Sequence, residues 1–322
     1  MARLQRSLAT LLALPITALA ITLPDLGLLN LNPGYPATPG YQTTPQYTTT
    51  PAYPTCDPTT VTVTATSTVT TTVAPTCPPT PTLTCDKYGY LIQYNSLYRV
   101  DLQTGGYEQV ASAVSKANNV NAIGYNTLDN YLYGIANPSR QLIQISSTGT
   151  STIIKNYTNA QIGASANVGD FDDQGYFWFG SGGTTWHQAD LRDPRSATYG
   201  SIVASGTADT LGLGLADWVY IPVAGQYLWS VATGAVGGSQ GTSLLRFGLQ
   251  TKRWESVARY GVLAPGGYGA LYGINNGTIY ASNNENGEIW AFDVSGRKPY
   301  LASQGPKSGS NDGARCVLNT LA

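Results

Sequence analysis

Asp170 and Asp217 are the side chains of this sequence whose type and spacing best fit acid–base chemistry, because they lie 47 residues apart at matching positions of a repeated motif. Glycoside hydrolases use a pair of carboxyl groups as acid and as base or nucleophile at the scissile bond. Such a site would need a third carboxyl group, and the candidates nearby are Asp172, Asp173 and Asp312. If the chain is an enzyme, we therefore expect Asp170 and Asp217 to be catalytic.

The same two aspartates have two other interpretations. Together with backbone carbonyl oxygens they could bind a cation, or they could accept hydrogen bonds from the backbone amides of neighbouring strands. The run 170–175 lacks the full acidic spacing of an EF-hand loop and predicts a turn between two strands. His187, the single histidine, has no nucleophile-elbow serine beside it and is predicted to be a packing or surface residue. We assign no metal ligand and no cofactor.

Composition excludes several classes of protein. Only 11% of the 322 residues are charged and the net charge is −1, which argues against nucleic acid as the partner. One histidine cannot form a motif that needs two, such as a paired-histidine zinc site. Gly 36, Pro 19 and Tyr 22 beside a single methionine indicate a turn-rich β protein.

Two series of short segments recur through residues 86–322, and such self-similarity is the signature of a repeat architecture. The third positions of the first series are Ala122, Asp170, Asp217, Ala270 and Ala314. The fourth positions of the second series, whose segments alternate as strands do, are Val100, Ile145, Ala189, Phe247 and Phe292. With two further runs in each unit, the repeats predict an all-β, five-bladed β-propeller with four-stranded blades. The step of 58 residues between Ala189 and Phe247 leaves room for an additional blade.

The two series are out of phase at the ends of the domain. The first unit lacks an inner-strand segment, and the last such segment stands alone at the C-terminus, so we predict that the C-terminal strand completes the first blade. Cys85 and Cys316 would then lie on or beside adjacent strands, within reach of a disulfide. The alternative is that these cysteines pair with Cys56 and Cys77, which we otherwise expect to bond to each other.

The first 84 residues are predicted to be a signal peptide followed by a stalk. Residues 1–20 combine two arginines, an apolar run and a small-residue cleavage site, the pattern of a signal peptide. Residues 21–84 are predicted to be an O-glycosylated stalk, because the part from 32 to 84 contains 20 Thr and 11 Pro and cannot form a core. Sequons at Asn156 and Asn276 fit the same route. The domain of residues 85–322 is predicted to be secreted or wall-associated, monomeric and without a membrane-spanning segment.

Aromatic rings and amides near the inner strands are the candidate ligand contacts. A flat ring can stack on a sugar, and an amide can bond to its hydroxyl groups. The rings are Trp186, Trp218 and Tyr268, and the amides are Asn119, Asn167 and Asn311. For the two tryptophans, packing in the core is the competing interpretation.

The chain resembles a group of secreted fungal proteins that have a Thr-rich stalk and a propeller-like domain of unknown function. The resemblance depends on the Thr-Val runs of the stalk and on the phrases Leu97-Tyr-Arg-Val-Asp-Leu and Asn130-Tyr-Leu-Tyr-Gly-Ile. These motifs are structural, so the resemblance implies a fold and a compartment but no reaction.

Two hypotheses for function follow. The leading one is a secreted, non-catalytic interaction module that binds carbohydrate or a cell-wall polymer through one face of the propeller. The alternative is a secreted glycoside hydrolase or lyase that uses Asp170 and Asp217. A third, a purely structural wall protein, needs neither ligand nor turnover, and the fold alone does not choose among them.

Overall fold

The structure is a computed structural model that describes residues 80–322, and this part of the chain forms five antiparallel sheets of four strands each. The sheets are the blades of a β-propeller, which confirms the predicted fold. The predicted signal peptide, the stalk up to residue 79 and the pair Cys56–Cys77 lie outside the described residues.

Twenty strands and two short helices make up residues 80–322. The first half of the chain contributes β1 (Gly89–Gln93), β2 (Ser96–Val100), β3 (Tyr107–Ala111), β4 (Asn119–Asn126), β5 (Tyr131–Asn137), β6 (Gln141–Ile145), β7 (Ser151–Asn156), the helix α1 (Asn159–Ile162), β8 (Val168–Phe171), β9 (Tyr176–Ser181), β10 (Thr185–Asp190) and β11 (Ile202–Thr207). The second half contributes β12 (Val219–Tyr220), a 3-10 helix (Pro222–Ala224), β13 (Tyr227–Val236), β14 (Ser239–Gly248), β15 (Trp254–Arg259), β16 (Tyr268–Ile274), β17 (Thr278–Asn283), β18 (Glu288–Asp293), β19 (Tyr300–Gln304) and β20 (Asn311–Ala314).

Blade 1 contains strands from both ends of the domain. Its strand order is β20-β1-β2-β3, with Tyr90 opposite Ala314 and Gln93 opposite Asn311. Blades 2 to 5 are the consecutive quartets β4–β7, β8–β11, β12–β15 and β16–β19. The prediction that the C-terminal strand completes the first blade is therefore confirmed.

Five apolar clusters fill the spaces between neighbouring blades. Successive side chains of a strand point to opposite faces of its sheet, so one strand contributes to two clusters. In β1, Leu91 packs with blade 5, whereas Tyr90 and Ile92 pack with blade 2. Because both faces of every blade are covered in this way, the second strand of a blade is buried along most of its length, as in β5 and β9.

The long step in the second repeat series comes from insertions and not from a sixth blade. The connection from β10 to β11 and the loop between β11 and β12 are long, and β13 and β14 are ten residues each. Their hairpin extends to Gly237 and Gly238, beyond the strands that pair with it. Ala189 and Phe247 nevertheless occupy third strands of adjacent blades, as predicted.

The inner strands approach one another closely around the axis. A Cβ atom at Gly169 of β8 would lie 2.3 Å from the backbone oxygen of Ala122 in β4. Only glycine fits there, since real Cβ atoms do not approach an oxygen so closely. This tight packing explains why small residues recur in the first repeat series.

The entry of the chain into blade 1 is anchored at two points. Cys85 and Cys316 form the predicted disulfide, at a sequence separation of 231. Before it, Leu83 is buried in the cluster between blades 1 and 2, and its N–H donates to the backbone oxygen of Asn130 at 2.8 Å. The last residues of the predicted stalk, 80–84, therefore pack against the propeller.

Candidate functional site

Three aspartates of the inner strands, or of the residues beside them, meet near the propeller axis. Each uses its Oδ2 to accept a backbone N–H from the next blade around the ring. The three bonds are Tyr220 N–H to Asp170 at 2.7 Å, Leu271 N–H to Asp217 at 2.7 Å and Ile123 N–H to Asp312 at 2.6 Å. The carboxyl groups thus join consecutive blades, which is the hydrogen-bonding interpretation left open by the sequence.

In two of these carboxyl groups the remaining oxygen is also occupied. Asp217 Oδ1 accepts the N–H of Trp218 at 2.7 Å, and Asp312 Oδ1 accepts the N–H of the residue that follows it at 3.0 Å. In blade 2 the amide oxygen of Asn121 accepts the N–H of Ala122 at 3.0 Å in the same manner. A side-chain oxygen next to an inner strand is therefore a recurring element of this propeller.

Burial controls the protonation of the axial carboxyl groups. It raises the pKa of Asp170 to about 7 although backbone N–H groups favour its charged form. It raises the pKa of Asp217 and of Asp312 well above the usual value, and these two carboxyl groups also lie close enough to interact directly. Because adjacent buried carboxylates cannot both ionise at low cost, this pair loses its last proton at a higher pH than exposed aspartates do.

A cavity of about 250 Å³ opens at the end of the axis where the C-terminal residues 315–322 lie, which we call the tail face. Asp170 lines it and keeps part of its surface exposed there, whereas Asp217 has no exposed surface. Asp172 also lines it, but its oxygens accept the indole N–H of Trp178 at 2.8 Å and the N–H of Tyr176 at 3.0 Å. The predicted pair Asp170 and Asp217 therefore does not open together into one cavity.

Arg315 also lines this cavity and was not identified from the sequence. Its side chain is 4% exposed, and its guanidinium donates to backbone oxygens that include those of Lys87 at 3.1 Å and Asn319 at 2.7 Å. Burial lowers its pKa to about 10. The available signal was its position, since Arg315 stands where the other four motifs of the first series carry a large apolar residue.

The three predicted amides lie at the opposite end of the propeller, where the inner strands begin; we call this end, defined by Asn119, Asn167 and Asn311, the Asn face. Each amide N–H donates to a neighbouring blade or to the segment leading into it. The acceptors are Ser310 Oγ for Asn119 at 2.8 Å, the backbone oxygen of Ala216 for Asn167 at 3.3 Å and Asn284 Oδ1 for Asn311 at 3.0 Å. Asn119 and Asn167 remain half-buried, whereas Asn311 is buried.

The predicted aromatic contacts lie in the core. Trp218 is completely buried between blades 3 and 4, and its indole N–H donates to the backbone oxygen of Trp178 at 3.2 Å. Tyr268 is completely buried between blades 4 and 5. Trp186 is 7% exposed and is covered by the Lys252 ammonium group, 5.0 Å from its ring centroid. Their placement supports the packing interpretation and speaks against the predicted ligand contacts, because no ring face is free for stacking.

Several further predicted positions can be located. Asn156 and Asn276 are both exposed, as acceptors of a glycan must be. His187 is buried on β10 against the ring of Phe179. Within residues 80–322, no group of three or more His, Cys, Asp or Glu side chains is arranged to hold a metal ion, and no helix is long and apolar enough to cross a membrane.

The five four-stranded sheets define the class of protein: a five-bladed β-propeller whose ring is closed by the C-terminal strand and a disulfide. Residues 113–318 match the family model described as a repeat of unknown function (DUF6923). The chain belongs to that family, which agrees with the coarser part of the resemblance drawn from the sequence. A comparison with curated proteins gave no match.

Solved structures give distant similarities. A chain of a nidogen/laminin complex is 11% identical, with a TM-score of 0.44 over 72% of this chain and 99% of that one. Virginiamycin B lyase from Staphylococcus aureus is 13% identical, with a TM-score of 0.42 over 69% of each chain. A gluconolactonase from Xanthomonas campestris is 14% identical, with a TM-score of 0.41 over 71% of this chain and 75% of that one. At such identities the likeness concerns the fold alone.

Proposed function

We propose that this protein is an extracellular, non-catalytic interaction module that binds carbohydrate or a cell-wall polymer through the Asn face. The observation that carries the non-catalytic part is the state of the predicted acid–base pair. Asp217 has no exposed surface, and its two oxygens accept backbone N–H groups of Trp218 and Leu271. A carboxyl group engaged in this way cannot approach a glycosidic oxygen without breaking bonds between blades.

The chemistry of the Asn face supports a hydroxyl-rich ligand. Asn119, Asn167 and the neighbouring Ser310 present amide and hydroxyl groups, which exchange hydrogen bonds readily with sugar hydroxyls. The extracellular location is supported by the signal-peptide pattern of residues 1–20, by the disulfide Cys85–Cys316 and by the exposure of Asn156 and Asn276.

A panel of insoluble polysaccharides tests the proposal. The full chain, secreted from a eukaryotic host, is incubated with fungal and plant polysaccharides, and each tube is assayed for protein depletion and for soluble products. We expect saturable depletion without reducing-end or unsaturated products. Absence of depletion from every tube would contradict the proposal.

The competing function is a glycoside hydrolase or lyase, and one observation favours it. Asp170 lines the tail-face cavity, and its pKa of about 7 suits a general acid or base at neutral pH. Under this alternative the same tubes contain soluble products, and Asp170→Asn abolishes them while the variant stays folded. Products that persist in Asp170→Asn would exclude Asp170 as the catalytic group.

A further inference from the structure

A groove of about 530 Å³ lies beside blade 3, with the segment 159–165, which includes α1, as one wall and the outer strands β10 and β11 as the other. Its volume falls within the range of small-molecule sites. It belongs to the Asn face, because Asn167 Oδ1 accepts the N–H of Gly182 at 2.7 Å and so supports the turn from β9 to β10 at the groove's edge.

The lining of the groove is uncharged. No Asp, Glu, Lys or Arg side chain contributes to it; five hydroxyl groups line it, with side-chain amides from the α1 segment and the apolar side chain of Ile162. The hydroxyl groups and the single imidazole come from Ser165, Ser181, Thr185, His187, Ser205 and Thr207. An uncharged set of donors and acceptors over an apolar wall fits a neutral molecule with many hydroxyl groups better than an ion.

His187 provides a second observation that points to a ligand. The residue is 8% exposed, yet its buried Nδ1 makes no hydrogen bond within the described chain. One face of the imidazole is fixed by the ring of Phe179, with 5.1 Å between the ring centroids. A buried polar atom without a partner is unusual in a native protein, and a water molecule or a ligand in the groove would satisfy it. Burial also lowers the pKa of His187, which favours the neutral imidazole.

We propose that this groove binds a pyranose unit of a neutral glycan, with Ser205, Thr207 and His187 as hydrogen-bonding partners. The inference rests on the proposed function and makes it more specific, since it selects one blade of the Asn face and a neutral ligand. The proposed binding site is also distinct from the axial carboxyl groups, because the groove lies on the outer strands of blade 3 and Asp217 does not line it.

The single histidine makes the groove directly observable. The full chain contains one His, so the imidazole signals in an NMR spectrum report on position 187 alone. We would titrate the protein with soluble neutral oligomers of glucose, mannose and N-acetylglucosamine and, in parallel, with an oligogalacturonate. A saturable shift of the His187 signals with a neutral oligomer, and none with the acidic one, is the expected result.

A matched pair of variants tests the location of the site. Ser205→Tyr fills the groove, whereas Val203→Tyr places the same ring two residues away on β11, at an exposed position that does not line the groove. We expect Ser205→Tyr to weaken glycan binding by about tenfold or more and Val203→Tyr to change it by less than about twofold, since only the first introduces a clash.

The outcomes separate this inference from the proposed function. If polysaccharide depletion occurs and is equal in Ser205→Tyr and Val203→Tyr, the groove is not the site, although the protein is still a carbohydrate-binding module. If no polysaccharide depletes the protein, binding to an insoluble polymer fails, and the titration then decides the groove: a saturable shift with a small neutral oligomer supports it, and unmoved His187 signals overturn it. Binding of the acidic oligomer alone would overturn the neutral ligand.

Discussion

The carboxyl group of Asp217 accepts a 2.7 Å hydrogen bond from the backbone N–H of Leu271, on the inner strand of the next blade. The apolar clusters between blades supply most of the contact area, but apolar packing has no fixed direction. A hydrogen bond from a backbone N–H to a carboxyl oxygen does have a preferred direction, because hydrogen bonds weaken steeply away from linearity. Asp217 therefore fixes how blade 4 sits against blade 5.

Removing this link lowers stability. We expect Asp217→Ala to reduce the free energy of unfolding by about 2–4 kcal/mol, because the N–H groups of Trp218 and Leu271 both lose their acceptor. Asp217→Asn retains one acceptor oxygen, as Asn121 does in blade 2, so its loss is smaller. Urea unfolding at neutral pH, followed by tryptophan fluorescence, measures both variants. An Asp217→Ala protein as stable as the wild type would show that the link contributes nothing.

Stability also depends on the protonation of Asp170. Its pKa is about 7 in the folded protein and about 4 in an unfolded chain, so the folded state binds more protons between these values. The free energy of unfolding therefore falls as pH rises from about 4 to about 7, by at most about 4 kcal/mol for this group. Asp190, whose pKa is lowered to about 2 by its bonds to Arg192, acts in the opposite sense but below about pH 4.

The variant Asp170→Asn isolates this effect. It has no proton to release in that window, so its free energy of unfolding decreases less than that of the wild type between about pH 4.5 and about pH 7.5. The comparison uses urea unfolding at both pH values. Equal decreases in the two proteins would show that Asp170 is not the group responsible.

Trp218→Ala provides a test of packing against ligand contact. Because the indole is fully buried, we expect its removal to lower the free energy of unfolding by about 3–5 kcal/mol. Loss of polysaccharide binding in this variant would then accompany loss of structure, with a lower melting temperature by circular dichroism. Trp218→Phe, which keeps an aromatic ring in the cluster, is the control and should retain binding. A variant that loses binding at an unchanged melting temperature would restore Trp218 as a ligand contact.

The periodic part of this architecture could be read from the sequence because it repeats. The sequence pattern of one strand, such as the one around Phe247, is weak, but five copies at similar spacing make the repeat recognisable. The offset between the two repeat series then indicates that the C-terminal strand belongs to blade 1. By contrast, the 58-residue step was long enough for an additional blade, because the long hairpin and loops that fill it have no periodic pattern in the sequence.

The candidate site was much harder to predict. Asp170 and Asp217 were identified as neighbours near the axis, but burial and the direction of a carboxyl group depend on the packing of other blades. Trp218 and Tyr268 were correctly placed beside inner strands, yet the side of the sheet to which a ring points follows from register. The groove at His187 combines residues from α1, β10 and β11 that share no motif, so their spacing in the sequence does not predict the groove.

The disulfide Cys85–Cys316 closes the ring covalently, and its removal should be costly. We expect the double variant Cys85→Ser with Cys316→Ser to lower the free energy of unfolding by about 2–5 kcal/mol, because the bridge constrains a loop of 231 residues in the unfolded chain. Urea unfolding of the variant and of the reduced wild type should coincide. If the variant unfolds at the urea concentration of the oxidised wild type, the bridge does not stabilise the domain.

The position of that bridge also has a mechanical consequence. Cys85 is where the chain enters blade 1, so a pull transmitted from the preceding residues first detaches the contacts of Leu83 and then meets a covalent bond. The disulfide passes part of this load to Cys316, which follows β20 in the same blade, so tension from this side does not separate β20 from β1. A force applied through the residues before Cys85 is therefore carried by a covalent bond as well as by the strand hydrogen bonds, and blade 1 stays closed under load.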